Sequence, residues 1–235
     1  MRMNDFHDII ELRMVNQMMI EHLFRVSNRF VEVFNKNVYE NAVLDLMNKS
    51  KKVFPNQYTK IEQQSHGECD FVDALSGKKY DAKLPFLPNQ IKMLTDGKEH
   101  KPEIEKWIRE LHEEASDFNP IRIRDDPTYD IRNTKLYRIM KQQLEKDKGD
   151  ENIVYFIPFP IVLAINGAPF LQFASDYLHA IYDCLAKEVE IGDRNIYAIW
   201  LSSEKNCYVL RCLNSHCPEF IQYEGLSPYF SCELV

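Results

Sequence analysis

Glycine is scarce in this chain, with only seven among its 235 residues. Glycine-rich loops cradle the phosphates of nucleotides in P-loop NTPases, kinases and dinucleotide-dependent oxidoreductases, and the sequence contains no such loop and no G-x-S-x-G elbow. It also lacks any run of about eighteen apolar residues, the length that a membrane-spanning helix requires. These absences argue against nucleotide-cradling enzymes and against membrane proteins.

A signal-peptide core is missing as well, because the first eight residues mix polar, acidic and basic side chains. The six cysteines contain no C-x-x-C pair, and a chain that is 45% hydrophobic is rich enough in core residues to fold without disulfides. We therefore expect a cytoplasmic protein with reduced thiols and no structural zinc site.

The net charge of −7 argues against wrapping a long nucleic acid by charge alone. It does not exclude a metal-dependent enzyme that acts on phosphates, because a bound cation itself supplies positive charge where the phosphate binds. The local distribution of charge therefore carries more information than the sum.

The segment from Glu68 to Leu84 has the pattern of a β-hairpin, since two short runs of mixed apolar and charged residues meet at Ser76-Gly77. A two-residue loop at this dipeptide would place Asp70 opposite Lys83. Because strand side chains alternate between the two faces, one face then carries Asp70, Asp81 and Lys83. The other face carries Phe71, Asp73, Tyr80 and Leu84.

A three-residue loop would shift the pairing by one position and would set Asp73, instead of Asp70, beside Asp81 and Lys83. The two-residue register, and with it Asp70, is the favoured prediction. Two converging carboxylates repel each other unless a cation lies between them, and hard oxygen ligands suit Mg²⁺ or Mn²⁺. A nearby lysine could orient a nucleophile, so the group has the components of a phosphodiesterase.

Asp70, followed after a hairpin turn by Asp81-Ala82-Lys83, resembles the motif of the PD-(D/E)XK nuclease superfamily. The match spans residues 70–83, with Cys69 in place of the proline of the motif and with aspartate as the second acid. The resemblance implies an αβββαβ core of the restriction-endonuclease-like type. It also implies that Asp70 and Asp81 hold Mg²⁺ or Mn²⁺ and that Lys83 is the catalytic lysine.

The order of the predicted elements agrees with that core. Residues 1–37 are predicted to form an N-terminal helical extension, and residues 38–235 the α/β domain, or both together one continuous domain. Within the domain we expect helices at 38–47, 102–119 and 169–190, a strand at 58–64 before the hairpin, a central strand at 152–158, and a second, C-terminal hairpin from strands 196–201 and 207–213. The aromatic tail is expected to pack over an edge of the sheet.

Two further groups are candidates for the site. The superfamily often adds a metal-binding acid from the first core helix, for which Glu40 and Glu32 qualify, with Glu21, Glu62, Glu68 and the turn residue His66 as weaker candidates. Arg132, Lys135 and Arg138 recur every three residues, so on one helix they would form a ridge suited to phosphates. The alternative is an ordinary helix surface that is paired with nearby aspartates.

These expectations combine into a Mg²⁺-dependent nuclease that hydrolyses phosphodiester bonds, with DNA favoured over RNA as the substrate. The expected partners are nucleic acid and, as a further candidate, a second copy of the chain, with no membrane. The main alternative is a non-catalytic binding or scaffolding protein that acts through its N-terminal helices. A metal enzyme acting on a small phosphate ester is a third possibility.

Overall fold

The structure is a computed structural model that describes residues 36–61, 69–86, 106, 110, 130–147, 149–157, 171–201, 207–215 and 218–225. The N-terminal extension predicted for residues 1–37 lies outside these ranges, except for its last two positions. The helix predicted at 102–119 also lies outside them, apart from two positions.

The described chain contains three α-helices and seven strands. The helices are α1 (Lys36–Lys49), α2 (Lys135–Lys146) and α3 (Leu171–Glu188), with a 3₁₀ turn at Ile131–Asn133 before α2. The strands are β1 (Tyr58–Lys60), β2 (Phe71–Asp73), β3 (Lys79–Lys83), β4 (Asn152–Ile157), β5 (Ile196–Leu201), β6 (Cys207–Cys212) and β7 (Glu219–Gln222).

The strands form one sheet in which their spatial order equals their order in the sequence. The pairs β3–β4 and β4–β5 are parallel, and the other neighbouring pairs are antiparallel. Parallel neighbours need a crossover connection, and α2 and α3 lie in the two connections that flank β4. This arrangement confirms the α/β class and the second hairpin, which is the antiparallel pair β5–β6.

Strand β4 is the centre of the sheet, and all six of its residues are buried. Its Phe156 ring stacks on Tyr39 of α1 with 6.3 Å between centroids, whereas the Tyr155 hydroxyl donates to the carbonyl of Met140 in α2 over 3.4 Å. Adjacent strand residues point to opposite faces. Helix α1 therefore covers one face of the sheet and α2 covers the other.

Helix α3 shares the face of α2. Its Tyr177 ring lies 6.0 Å from that of Trp200, and Trp200 pairs with Ile157, which is on the same side of β4 as Tyr155. The helices thus cover both faces of the sheet at β4. A parallel strand that is buried on both faces has a continuous apolar sequence, which is the pattern that predicted β4. No helix in the described part of the chain has the length and apolar character needed to cross a membrane.

The start of α2 is fixed by Thr134, whose hydroxyl accepts from the Tyr137 N–H and donates to the Ile131 carbonyl over 2.8 Å. A side-chain oxygen at this position satisfies one of the backbone donors that a helix leaves unpaired at its start. The same residue ends the 3₁₀ turn, so the chain changes direction between Ile131–Asn133 and α2.

Strand β7 was not among the predicted strands, because its segment was expected only to pack over a sheet edge. Its Glu219 joins this edge to the end of α1: the carboxylate accepts from the Ser50 hydroxyl over 2.5 Å and from the backbone N–H groups of Lys51 and Lys52 over 3.0 and 2.9 Å. Burial alone would raise the pKa of Glu219, but these hydrogen bonds outweigh it and lower the pKa below its ordinary value. One carboxylate therefore connects segments that are far apart in sequence.

We expect Glu219→Ala to lower the free energy of unfolding by about 1 to 3 kcal/mol, the usual effect of removing hydrogen bonds to a charged group. Urea denaturation at neutral pH would measure this change. The control is Glu190→Ala, which removes an exposed glutamate and should change stability by less than about 0.5 kcal/mol. Equal stability of the two variants would contradict the role of the Glu219 contacts.

Candidate functional site

The hairpin that carries the predicted site forms, but its turn is longer than predicted. Strand residue Phe71 pairs with Tyr80, and the N–H of Asp73 donates to the carbonyl of Lys78 over 2.9 Å. The turn therefore contains four residues, 74–77, and the two-residue loop at Ser76-Gly77 is wrong. Gly77 has a φ of 70°, a conformation that suits glycine.

Asp73 explains why the turn is longer. Its carboxylate accepts from the N–H of Leu75 over 2.9 Å, from the hydroxyl of Ser76 over 2.5 Å and from the side-chain amide of Asn56 over 2.7 Å. Burial alone would raise the pKa of Asp73, but these donors outweigh it and lower the pKa to about 2. Asp73 thus organises the turn, and the structure does not bring it beside Asp81.

Asp70 is the acid that lies beside Asp81. Its N–H donates to the carbonyl of Tyr80 over 3.0 Å, and its side-chain Oδ2 accepts from the N–H of Ala82 over 2.8 Å. The carboxylate therefore takes the place of a strand partner on β3. Continuing the observed register sets Asp70 opposite Asp81, so the predicted pairing of Asp70 with Lys83 is wrong by two positions.

The charges of Asp81 and Glu40 both act on the carboxyl group of Asp70, and these three acids are called the acidic cluster below. Asp70 is only 5% exposed. Its pKa is raised to about 6, mainly by burial and further by the negative charges of Asp81 and Glu40. The hydrogen bond from the Ala82 N–H acts in the opposite direction and lowers the pKa. Tyr39 lies near the same cluster. Its pKa is raised well above the ordinary value, first by burial and then by the charges of Asp70, Glu40 and Asp81.

Glu40 is the only one of the five predicted additional acids that lies within the described residues, since Glu21, Glu32, Glu62 and Glu68, like His66, fall outside them. It is 2% exposed on α1, and its Oε2 accepts from the Lys60 ammonium over 2.7 Å. Its Oε1 lies 3.2 Å from Lys36 but forms no hydrogen bond with a described residue. A buried carboxylate oxygen with incomplete pairing adds to the negative potential around Asp70.

Lys83 lies between two carboxylates. Its ammonium is 2.5 Å from Asp81 and 2.9 Å from Asp147, the residue that caps the end of α2. Burial alone would lower the pKa of Lys83, but Asp81 and Asp147 outweigh it and raise the pKa above the ordinary value. Lys83 is therefore an ammonium ion at neutral pH.

Asp147 is a functional candidate that the sequence did not reveal. It is also 3.5 Å from the guanidinium of Arg194, so it bridges Lys83 and the loop after α3. Gln143 of α2 reinforces the contact by donating to the carbonyls of Leu84 and Phe86 over 3.0 and 2.8 Å. The end of β3 is thus tied to the end of α2, which holds Lys83 in place.

The predicted basic ridge is not a single helix surface. Arg132 belongs to the 3₁₀ turn, whereas Lys135 and Arg138 lie in α2. Arg132 binds the carboxylate of Asp130 over 2.7 Å, Lys135 forms an ion pair with Glu110, and Arg138 donates to Asn133 over 3.3 Å. The group also lies at the opposite end of α2 from Asp147, and the 1.5 Å rise per residue separates Arg138 from Asp147 by about 14 Å.

A divalent ion has no preassembled three-residue site among the described residues, since no three His, Cys, Asp or Glu side chains there come close enough to form one. The donor chemistry of the acidic cluster nevertheless suits Mg²⁺, which keeps several waters and commonly uses only one or two protein carboxylates. Comparisons with protein-family models, with curated proteins and with solved structures found no match.

Asp73→Asn should destabilise the protein by about 1 to 3 kcal/mol at neutral pH, because an ionised acceptor of several hydrogen bonds is lost. The low pKa of Asp73 means that its contribution is fully present above about pH 4 and decreases as the pH falls towards 2. Urea denaturation across this range should show the two proteins converging. Asp150→Asn, at an exposed aspartate, is the control, and a difference that does not depend on pH would contradict the assignment.

Asp70→Asn should instead stabilise the metal-free protein, because it removes a buried negative charge. The shift of its pKa from 3.8 to about 6 corresponds to at most about 3 kcal/mol. The gain should be present above about pH 6 and should disappear below about pH 4, where Asp70 is protonated in both the folded and the unfolded state. Urea denaturation in a chelator would measure it, and a destabilised variant at neutral pH would refute the predicted repulsion.

Proposed function

We propose that the protein is a Mg²⁺- or Mn²⁺-dependent nuclease that hydrolyses phosphodiester bonds, with DNA as the favoured substrate. The observation that carries this proposal is that Asp70, directly before β2, lies beside Asp81 and Lys83 of β3, while the charge of Glu40 acts on Asp70 from α1. The element order α1, β1, β2, β3, α2, β4 follows the αβββαβ core of the PD-(D/E)XK superfamily. A restriction-endonuclease-like core is therefore part of the proposal.

The repulsion within the acidic cluster supports cation binding. A group whose ionised form is disfavoured by neighbouring carboxylates gains stability when a divalent cation binds near it. Asp70 and Asp81 are the residues that would hold Mg²⁺, and Glu40 would add negative charge behind them. When bound, the ion would polarise a phosphoryl oxygen and lower the pKa of a nearby water.

Lys83 supplies a fixed positive charge in this proposal. Because it is protonated at neutral pH, it does not serve as the base that removes a proton from water. Its ammonium can orient the attacking water by a hydrogen bond and offset the negative charge that develops on the phosphate. Asp147 holds Lys83 in position from the end of α2, so the hydrogen bonds need little rearrangement during the reaction.

The alternative function as a non-catalytic binding or scaffolding protein depends on N-terminal helices that lie outside the described residues. It is an outcome that the experiments below distinguish from nuclease activity. The small phosphate ester substrate is tested by adding such an ester to the substrate panel.

Cleavage of labelled double-stranded DNA, single-stranded DNA and RNA in Mg²⁺ and in Mn²⁺ would test the proposal. We expect the wild type to cut DNA and a chelator to stop the reaction. Asp81→Asn and Lys83→Ala should each reduce the rate by at least about 100-fold, as when a group that stabilises charge in the transition state is lost. The matched controls are Asp150→Asn and Lys146→Ala, both at exposed positions, and these should retain the wild-type rate.

A thermal melt with and without Mg²⁺ provides a second readout. An ion that binds only the folded state must stabilise it, so Mg²⁺ should raise the melting temperature of the wild type more than that of Asp81→Asn. Equal cleavage by the wild type and Lys83→Ala would indicate another site or a contaminating enzyme. No cleavage by either protein would favour the binding or scaffolding function.

A further inference from the structure

The tip of the hairpin exposes an apolar side chain in an ordered turn. Leu75 is 83% exposed, and the other large hydrophobic residue that is exposed in the described part of the chain, Phe220, is 45% exposed. An isolated exposed leucine is common on protein surfaces and needs no explanation by itself. Leu75 differs from an isolated exposed leucine because its turn is held by hydrogen bonds and two exposed lysines follow it.

The turn is held by contacts on both sides. Asp73 accepts from Leu75 and Ser76, as described above, and the N–H of Ala74 donates to the carbonyl of Gln57 over 2.9 Å. The backbone that presents Leu75 is therefore fixed by the fold. A fixed contact residue loses little conformational entropy when a partner covers it, so less of the interaction energy is spent on ordering.

Lys78 and Lys79 follow the turn, and both are exposed. Neither forms an ion pair with any residue that the structure describes. Lys79 and Glu151 nevertheless lie near the same thiol, because the charge of Lys79 lowers the pKa of Cys69 and that of Glu151 raises it. This separates them from Arg132 and Lys135, which are paired with carboxylates. Two exposed ammonium groups without an ion pair to a described residue, beside an exposed leucine, suit a partner that presents negative charge next to apolar surface.

The hairpin also sets the distance from this tip to the proposed catalytic residues. Lys78 precedes Asp81 by three positions, which corresponds to about 10 Å along a strand. One strand of duplex DNA advances 3.4 Å per nucleotide, so the tip lies about three nucleotides from a phosphate bound at Asp81. A duplex that follows the direction of β3 would reach the tip.

We propose that residues 74–79 form a contact surface for the DNA duplex, with Lys78 and Lys79 on backbone phosphates and Leu75 packed against a sugar or a base edge. The proposal rests on the proposed nuclease function and identifies the part of the surface that holds the substrate beyond the cleaved bond. It replaces Arg132, Lys135 and Arg138 as the main phosphate contacts. Phosphates bound here position the duplex, and they do not read its sequence.

Binding of a short labelled duplex to the full chain in a chelator, measured by fluorescence anisotropy between about 50 and 200 mM salt, tests the proposal. Each lost phosphate contact lowers the slope of log affinity against log salt by about 0.9. The wild type should therefore lose about 12-fold more affinity over this range than Lys78→Ala/Lys79→Ala. The control Lys146→Ala/Lys187→Ala removes the same charge from exposed positions elsewhere and should keep the wild-type slope.

Leu75 is tested separately, because an apolar contact does not release counterions. Leu75→Ala should weaken binding by about tenfold without changing the salt slope, and Leu75→Met, which nearly conserves volume, should bind like the wild type. In Mg²⁺, the variants of all three positions should raise KM and leave kcat unchanged. All three side chains are exposed, so unchanged melting temperatures should accompany these effects.

The outcomes separate the two proposals. A wild type that cuts DNA, together with tip variants of unchanged slope and KM, would overturn the contact surface and leave the nuclease function intact. Tip variants that alter the binding of RNA but not of duplex DNA would overturn the choice of partner. A wild type that neither binds nor cuts nucleic acid would overturn the nuclease function and, with it, the contact surface. Binding with the expected slopes but without cleavage would support the surface and count against catalysis.

Discussion

The arrangement of the molecule depends on the burial of β4 between two parallel neighbours. Because both faces of β4 are covered, α1 must lie on one side of the sheet and α2 on the other. The pairing of Lys83 with Tyr155 then points Lys83 to the face that α2 covers, since neighbours in a parallel pair share a face. The contact between Lys83 and Asp147 at the end of α2 follows from that placement.

The hairpin shows which part of a strand prediction survives an error. The predicted register was wrong by two positions, but side chains alternate with a period of two, so Asp70, Asp81 and Lys83 kept their common face. An error of one position would have moved Asp70 to the opposite face. The prediction placed the turn at Ser76-Gly77 and overlooked Asp73, which fixes the longer turn. An aspartate whose carboxylate accepts from the N–H two residues later is a recognisable turn signal in a sequence.

Long-range contacts account for most of what the sequence did not reveal. Asp147 was part of a charged loop, and its role depends on the packing of α2 against β3, which no local pattern encodes. Glu40 was one of several glutamates among which the sequence did not select, and its burial on α1 depends on tertiary packing. The prediction that Arg132, Lys135 and Arg138 share one helix was wrong for a local reason, because Thr134 separates the 3₁₀ turn from α2. The long apolar elements were predictable from local patterns, because β4 is a continuous apolar run and α3 has apolar residues at helical spacing.

The three acids of the acidic cluster each have a different compensating group. Glu40 is held by lysines, Asp81 by Lys83, and Asp70 by the backbone N–H of Ala82, a neutral dipole. Burial raises the pKa of Asp70, and the charges of Asp81 and Glu40 add to that effect, whereas the Ala82 N–H lowers the pKa. A cation bound beside Asp70 would reduce the repulsion that Asp81 and Glu40 exert on its carboxylate, and Asp147 holds the ammonium of Lys83 next to Asp81.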